Sequence, residues 1–444
     1  MSARVAAGIA STLVLAALGV AAAADEPAGT DEPAGADSGA GVSPDAAAAA
    51  QGPPRPAGLK RWLDPATAPF IPIPEIDTAP GSGTTLGVIP TVLSTDEHGT
   101  LTRIVAPDVI HSQYFGWGSR FRVFAYPEPD TQWSVVGGLK ERTEREFDGR
   151  YATTETRIDN LALTVEAVYD RSGIPRFFGI GNDTPYSNQT SYLANQAFLD
   201  VAPSLRLGKG WEVGFDERVR YFDVLPGVLP QLPSIQTLFP TVPGLGSNHE
   251  AQQRISVSRD TRDAVSIPQS GGHFEVYGGF VSRALASSVS YTFLGAGAQH
   301  YWSIGAGNTL AWHAALRVMP SAAGAPFWAL SSLGGDRSVT DEREPLRSAV
   351  TDRYFDRNLF ATGAELRHAL TGFQAFGTRV ALEVAPFVDA GHVYSSMGTN
   401  PVSHLHAAGG LGVRGVASPY VVGYVDIGFG QDGASVFSGI NYPF

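Results

Sequence analysis

The feature that most constrains the fold of this chain is a period-two alternation of apolar and polar residues, repeated in many segments of about ten residues. Residues 379–391 show it clearly, because the polar Glu383 and Asp389 occupy odd positions. The even positions are all apolar: Val380, Leu382, Val384, Pro386, Val388 and Ala390. Successive side chains of a strand point to opposite faces of a sheet. Each segment therefore predicts a strand with one apolar and one polar face.

Turn residues divide the chain into about sixteen such strands. We interpret them as an all-β fold, a transmembrane antiparallel β-barrel, because bacterial outer membrane barrels have an even number of strands with lipid-facing and lumen-facing residues in alternation. A soluble β-sandwich has the same period and is the alternative. The predicted strands are 84–95, 101–114, 118–127, 131–146, 152–169, 190–206, 211–223, 250–260, 272–282, 286–303, 308–319, 358–369, 379–391, 404–416, 420–430 and 435–444.

The lengths of the connections support a barrel. Outer membrane barrels alternate short periplasmic turns with longer outer loops. Counted from a periplasmic N-terminus, the three longest connections, 171–188, 225–249 and 322–357, all fall on the outer side. Two connections break the rule, because the inward turn at 260–272 is long and the outward turn at 283–285 is short.

Residues 1–24 have the pattern of a secretory signal peptide. Arg4 supplies a positive start, residues 5–20 are apolar, and 22–24 form a small-residue cleavage site. We expect cleavage after Ala24, with an uncleaved membrane anchor as the alternative. Residues 25–69 repeat the motif Asp-Glu-Pro-Ala-Gly and are rich in alanine and proline, which predicts a disordered linker. The predicted barrel then occupies residues 70–444.

The composition excludes several kinds of site. The chain has no cysteine, which removes disulfides, thiolate metal sites and thiol nucleophiles. A formal net charge of -12 without a basic stripe argues against a nucleic-acid partner. His404 and His406 lack a nearby third metal ligand, and no Gly-Xaa-Ser-Xaa-Gly nucleophile motif occurs. We therefore expect no enzymatic activity, no cofactor and no metal.

One long segment, residues 331–358, is rich in charge and has neither helical nor strand periodicity. An irregular loop of this length is either functional or disordered. The segment contains the motifs Leu333-Gly334-Gly335, Leu346-Arg347, Arg353-Tyr354 and Asp356-Arg357-Asn358. These motifs resemble those of the loop that folds back into the pore of BamA/TamA-type outer membrane barrels, the bacterial surface antigen family. Ser348 and Ala349 stand where that family has glycine and an aromatic residue.

The resemblance implies a pore-inserted loop at 333–357 whose Arg347 reaches an acidic residue in a Phe-Xaa-Asp-Xaa-Gly strand motif. That motif matches residues 387–391, and the alternation places its Asp389 on the polar face. An arginine fork on a carboxylate makes directional, bidentate hydrogen bonds that suit the pinning of a loop in a wet pore. Two unrelated charges of a polar lumen are the alternative. By the same resemblance and alternation, the expected lumen-lining residues are Glu365, Arg367 and Glu383.

The chain ends in alternating apolar residues with a terminal phenylalanine. Ile440, Tyr442 and Phe444 fall on one face of the last predicted strand, which resembles the C-terminal signal that outer membrane barrels present to their assembly machinery. Two further stretches, 177–182 and 260–271, resemble the family's Phe/Tyr-Gly-Xaa-Gly-Asn loop and its Asp-Xaa-Arg-Asp turn.

The resemblance implies a monomeric barrel in the bacterial outer membrane that assists protein insertion or translocation. Its expected partners are outer membrane lipid, the assembly machinery during biogenesis and a possible protein client. Residues 25–69 are shorter than the roughly 50 residues of the smallest ordinary domain, so they are not expected to hold the family's periplasmic POTRA modules. The alternative function is a passive channel or a structural surface barrel with no role in handling clients.

Overall fold

A computed structural model of the chain describes residues 70–77, 83–97, 101–305, 307–336, 342–375, 378–417 and 421–444. The predicted signal peptide and linker lie outside the described residues. The chain divides into two compact units. The smaller comprises Met1–Phe70 and Gly372–Val380, and its described residues are Phe70 and the ends of two strands. The larger, Ile71–Thr371 with Ala381–Phe444, contains the sheet and the site described below.

Most of the described residues are in strands, and the helices among them are four single turns at Tyr186–Asn188, Ile235–Leu238, Arg283–Leu285 and Phe327–Ala329. No helix among these residues is long and apolar enough to cross a bilayer. The strands are β1 Ile71–Asp77, β2 Thr85–Thr95, β3 Leu101–Val105, β4 Val109–Ser112, β5 Gly116–Glu128, β6 Thr131–Lys140, β7 Arg145–Thr153, β8 Leu161–Ser172, β9 Arg176–Phe177, β10 Thr190–Gly208, β11 Trp211–Pro226, β12 Gly246–Asp260, β13 Gly271–Val281, β14 Tyr291–Ser303, β15 Asn308–Ser321, β16 Ser331–Leu333, β17 Arg343–Glu344, β18 Tyr354–Asp356, β19 Asn358–Ala375, β20 Thr378–Tyr394, β21 His406–Ala417, β22 Val421–Gly430 and β23 Gly433–Ile440.

Sequential antiparallel pairing joins the long strands into one ladder, in which β3 and β4 act as one interrupted strand between β2 and β5. The ladder runs from β1 through β8, continues from β10 to β15, and ends with β19 to β23. Its two ends meet, because the Ile76 N–H of β1 donates to Ser438 Oγ of β23 at 2.5 Å. This contact brings β1 and β23 side by side, so the sheet closes on itself as a barrel does.

The described ladder has eighteen strands, against about sixteen expected from the sequence. One extra strand is β1, whose Pro72 and Pro74 indicated an extended lead-in but which pairs with β2. The other arises because the predicted strands 131–146 and 152–169 are three strands, β6, β7 and β8. The turn between β6 and β7 is closed by Thr143, which adopts a φ of 61°. A β-branched residue in this region is rare, so the sequence carries no turn signal there.

Side-chain exposure confirms which face meets lipid. Val388 of β20 is 61 % exposed whereas the adjacent Asp389 is 2 % exposed, and on β22 Phe429 is 60 % exposed whereas Asp426 is fully buried. A soluble sandwich buries its apolar face and exposes its polar one. Here the apolar residues are on the outside and the charges are inside, which is the arrangement of a transmembrane barrel.

The three longest connections meet at one end of the ladder, which we call the long-loop end. Gly181, in the connection after β9, donates its N–H to the Phe355 carbonyl at 2.7 Å, and Phe327 donates to the Pro243 carbonyl at 2.9 Å. The rings of Phe177 and Phe327 lie 4.8 Å apart in the same cluster. The structure therefore confirms that these three connections lie on the same side, as their lengths predicted.

Candidate functional site: a buried charge cluster around Arg347

Residues 331–358, here called the inserted segment, form a small sheet inside the lumen. Strand β16 pairs antiparallel with β18 and parallel with β17. The segment reaches both walls of the lumen, because Glu342 lies 3.3 Å from the guanidinium of Arg220 on β11 while Arg347 contacts the opposite strands. Leu333 and Arg347 are both fully buried. The described part of the segment is thus a packed element rather than a solvated loop.

Arg347 makes a bidentate salt bridge with Asp389 of β20. Its Nε donates to Asp389 Oδ2 at 2.9 Å and its Nη2 donates to Oδ1 at 2.8 Å. The backbone N–H of Arg347 also donates to Asp389 Oδ2, at 3.1 Å. The planar guanidinium lies over the ring of Phe387, with 3.6 Å from its central carbon to the ring centroid. This geometry combines charge-assisted hydrogen bonding with a cation–π contact.

Asp389 is one of three acidic partners of this arginine. Arg347 Nη1 donates to Glu365 Oε2 of β19 at 3.0 Å and to Asp426 Oδ2 of β22 at 3.1 Å. Two further arginines complete the group: Arg367 donates to Glu365 Oε1 at 2.7 Å, and Arg414 contacts Asp426 and lies 3.3 Å from Glu365. We call these six residues the Arg347 cluster: Arg347, Arg367, Arg414, Glu365, Asp389 and Asp426.

The Arg347 cluster has three positive and three negative side chains, and all six are buried. A buried ion pair offsets its desolvation cost only when every charge is matched and its hydrogen-bonding groups are used. The formal charges cancel here, and the three carboxylates come from three different strands of the wall. The arrangement can hold the inserted segment at a defined depth and orientation, because an arginine fork is directional.

The tip of the segment is packed against glycines of β22. A Cβ added at Gly428 would lie 1.5 Å from the Arg347 carbonyl oxygen, and one at Gly430 would lie 2.1 Å from Ser348 Oγ. Ser435 Oγ donates to the Ser348 carbonyl at 2.9 Å. Ser348, which departs from the family pattern, therefore fits closely against β22 because Gly428 and Gly430 have no side chains there.

A second arginine holds the other end of the segment. Arg353 Nε donates to Asp432 Oδ2 at 2.8 Å, and its Nη2 donates to the Thr184 carbonyl at 2.8 Å. The nearby Asn182 ends the glycine-rich motif at 177–182. It accepts the Val393 N–H at 3.2 Å and donates to the His404 carbonyl at 3.0 Å. The motif thus joins its own connection to β20 and to the connection between β20 and β21.

The long inward turn at 261–270 also approaches the cluster. Asp263 Oδ1 accepts backbone N–H groups from Ala264, Gln269 and Ser270 at 3.0 to 3.2 Å. Burial acts to raise the pKa of Asp263, but these donors outweigh it and hold the pKa below its usual range. The turn brings the Pro268 carbonyl within 3.5 Å of Arg367 Nη1. The length of this turn therefore allows it to reach into the lumen.

The structure places the remaining predicted residues as follows. Glu383 faces the lumen and accepts the Tyr442 hydroxyl at 2.8 Å. Sequence reasoning did not assign Arg414 or Asp426 to the site, although Asp426 alternates with the apolar Val425 and Ile427 along its strand. The ring of His406 stacks on Tyr354 with 4.0 Å between centroids. Among the described residues, no group of three or more histidines and acidic residues is arranged to hold a metal ion.

The C-terminus differs from the expected continuous strand. β23 ends at Ile440, and Asn441 adopts a φ of 74°, which turns the last residues away from the ladder. Tyr442 packs on Arg367, with 3.6 Å from the guanidinium carbon to the ring centroid. The Phe444 ring lies 4.3 Å from that of His313, and its carbonyl accepts from Arg367 at 3.0 Å. Ile440, Tyr442 and Phe444 therefore do not share one strand face.

This arrangement gives a prediction for the C-terminus. Phe444→Ala keeps the terminal carboxylate but removes the ring from the lumen, so we expect the barrel to lose about 3 kcal/mol of stability, as for other buried phenylalanines. Unfolding of the purified barrel in detergent, followed by gel mobility with and without heating, measures the change. Deletion of Phe444 should also lower the amount of assembled barrel in cells if the terminus acts as an assembly signal. Normal assembly and normal stability of both variants would contradict this role.

An antiparallel sheet whose edge strands meet, an apolar exterior and a charged lumen that holds an inserted segment define a class, the transmembrane β-barrels of bacterial outer membranes. The sequence profile of the Omp85 superfamily domain matches residues 134–423. The chain belongs to the Omp85 superfamily and is a protein of the bacterial outer membrane. No curated protein sequence matches it significantly.

Several solved structures are similar to the chain. BamA from Haemophilus ducreyi lacking POTRA domains 1-3 matches with a TM-score of 0.48 and 11 % identity, over 80 % of this chain and 75 % of that one. CdiB from Acinetobacter baumannii matches with a TM-score of 0.42 and 9 % identity, over 84 % of this chain and 59 % of that one. Wzi, a carbohydrate-binding β-barrel involved in group 1 capsule assembly in Escherichia coli, matches with a TM-score of 0.40 and 10 % identity, over 87 % of both chains.

Proposed function

We propose that the chain assists protein insertion or translocation at the outer membrane, and that its inserted segment is held in the lumen by the Arg347 cluster. The observation that supports the proposal is the burial of the Arg347 guanidinium against carboxylates of β19, β20 and β22. The six charges fix the segment to three strands of the wall, which favours a role for the segment itself beyond the passage of solutes. The proposal involves no catalytic step.

The segment also limits what the lumen can pass. Its contacts extend from Arg220 on β11 to Asp426 on β22. The rings of Phe177 and Phe327 at the long-loop end pack against Phe355 of the segment. In the part of the lumen that the segment crosses, a solute would have to displace packed side chains. We therefore infer a small resting conductance and a role that depends on the wall and on movement of the segment.

Reconstitution tests the proposed function. We expect liposomes that carry the purified full chain to accelerate the folding of an unfolded outer membrane barrel added from outside, and Arg347→Ala to reduce this effect because the segment is no longer held. Gel mobility of the added client, with and without heating, measures its folding. Arg157→Ala, an exposed arginine in the connection between β7 and β8, is the matched control and should behave as wild type.

The same liposomes distinguish the alternative function. Rapid swelling in sugar solutions, with no effect on client folding, would identify a passive channel and overturn the proposal. Slow swelling together with accelerated client folding supports it.

A further inference from the structure

Two arginines face each other on the lipid-facing wall near the long-loop end. Arg145 of β7 and Arg171 of β8 are direct register partners. Their neighbours along the strands point into the lumen, since Glu146 lies 3.9 Å from Arg120 and Asp170 accepts from Gln196 at 3.5 Å. The alternation therefore directs both arginines outward. This pair breaks the apolar character of the exterior at one defined level.

The level of the pair corresponds to a membrane interface. The next outward-facing register pair toward the middle of the wall is Phe147 and Tyr169, which are 45 % and 40 % exposed. Aromatic residues are concentrated where the acyl chains of a bilayer meet its head groups. Side chains one step beyond such a pair lie among the head groups. Arg145 and Arg171 are therefore at the depth of lipid phosphates.

No acidic side chain neutralises this pair. Within the part of the chain that the structure describes, no carboxylate oxygen lies within 4.0 Å of Arg145 or Arg171. Glu144, the nearest acid in sequence, is directed elsewhere: it accepts the Gly173 N–H at 2.7 Å and lies 3.7 Å from Lys140. Arg145 Nη1 donates to the carbonyls of Lys140 and Glu144, at 2.8 and 2.6 Å. These bonds hold the guanidinium in place without cancelling its charge.

Like charges directly opposite each other in a sheet are destabilising unless an anion lies between them. We propose that Arg145 and Arg171 bind a phosphate group of a phosphorylated glycolipid in the outer leaflet of the outer membrane. Arginine matches phosphate geometry with two parallel hydrogen bonds, so one phosphate can bridge the two guanidinium groups. Exposed Arg142, in the same β6–β7 connection, adds positive charge near the pair. The lipid would then fix the barrel's position on this side of the wall.

The assignment to the outer leaflet rests on the proposed orientation, in which the long-loop end faces outward. The β6–β7 connection belongs to that end, because its Glu144 binds Gly173 at the start of the connection between β8 and β10. The chain has no native cysteine, so single cysteines report orientation cleanly. On intact cells, an impermeant maleimide should label Gln231→Cys at the long-loop end and should not label Val265→Cys in the opposite turn. The reverse result would overturn the outer-leaflet assignment without affecting family membership.

Lipid binding is tested on the purified full chain in detergent. The probes are bisphosphorylated lipid A, the same lipid without phosphates, phosphatidylglycerol and inorganic phosphate, with retention measured by native mass spectrometry. We expect bisphosphorylated lipid A to bind wild type best. The double variant Arg145→Gln with Arg171→Gln should bind it at least about tenfold more weakly, which corresponds to about 1.4 kcal/mol. The control Arg157→Gln carries the same change at the other end, where Asn160 of its connection binds Arg206 near the short turn.

Several outcomes would overturn the proposal. Equal binding of lipid A by the double variant would exclude these arginines. Equal binding of dephosphorylated lipid A would exclude phosphate recognition, and equal binding of phosphatidylglycerol would mean a general affinity for anionic lipid. Competition by millimolar inorganic phosphate would indicate a free anion as the ligand.

Unchanged mobility of the double variant on unheated gels would show that it is folded, so a loss of binding could not be attributed to misfolding.

Discussion

Arg347→Ala is expected to release the inserted segment from the lumen wall. The change removes the only residue of the segment in the Arg347 cluster and leaves three carboxylates facing two arginines, a net charge of −1 in a buried site. Breaking a buried ion pair by removing one partner costs about 3 to 5 kcal/mol. We expect a lower unfolding temperature, faster proteolysis of residues 342–358 and a larger conductance in planar bilayers.

A double-mutant cycle shows whether the contact with Asp389 is responsible. Asp389→Ala leaves a net charge of +1, whereas the double variant restores charge balance. The double variant should therefore be less destabilised than the sum of the single variants. Arg343→Ala is the control, since this arginine of the same segment pairs with Asp352 but its side chain is 45 % exposed. Such a pair contributes at most about 1 kcal/mol. Additive effects of Arg347→Ala and Asp389→Ala would mean that the two charges only line the lumen.

Gly428→Val is expected to have an effect as large as the loss of Arg347, but for a steric reason. A Cβ at this position would lie 1.5 Å from the Arg347 carbonyl oxygen, and the obstacle is backbone that cannot rotate away. The charges of the cluster are all retained in this variant. We therefore expect the segment to be displaced although its ion-pairing groups are intact, with increased proteolysis of the segment and increased conductance.

Gly415→Val is the matched control for this substitution. Gly415 lies on β21, next to β22, and no atom lies within 4 Å of a Cβ built there. Valine suits a lipid-facing strand position, so the control should assemble and conduct as wild type. If Gly428→Val also behaves as wild type, the segment does not pack on β22 in the membrane. If both variants fail to assemble, the strands themselves do not tolerate the change.

The inserted segment is the feature on which both predictions depend. It contacts the wall in two ways, through ion pairs of the Arg347 cluster and through close approach of its backbone to Gly428. A different substitution removes each kind of contact. A variant that loses one should retain part of the other. Intermediate conductance of Arg347→Ala, compared with the combination of Arg347→Ala and Gly428→Val, would reveal that separation.

The class of the fold and the direction of most side chains follow from the amino-acid sequence alone. A period of two reports the face of a strand because each successive side chain points to the opposite side. The alternation alone therefore assigns Asp389 and Glu383 to the lumen and Val388 to lipid. The motifs around Leu333 and Arg347 indicated the lumen segment through family resemblance. These inferences depend on local patterns, which a single chain contains in full.

Other features of the protein depend on contacts between distant strands and could not be predicted from local patterns. The turn at Thr143 has no glycine, proline or asparagine, so two strands were expected where three occur. The C-terminal residues turn inward at Asn441 because partners on other strands, Arg367 and His313, receive them. Arg414 and Asp426 join the cluster because the closed ladder brings β19 to β22 around one point of the lumen. Alternation states which face a residue occupies but not its depth or its neighbour across the lumen, and those are set only when the sheet closes.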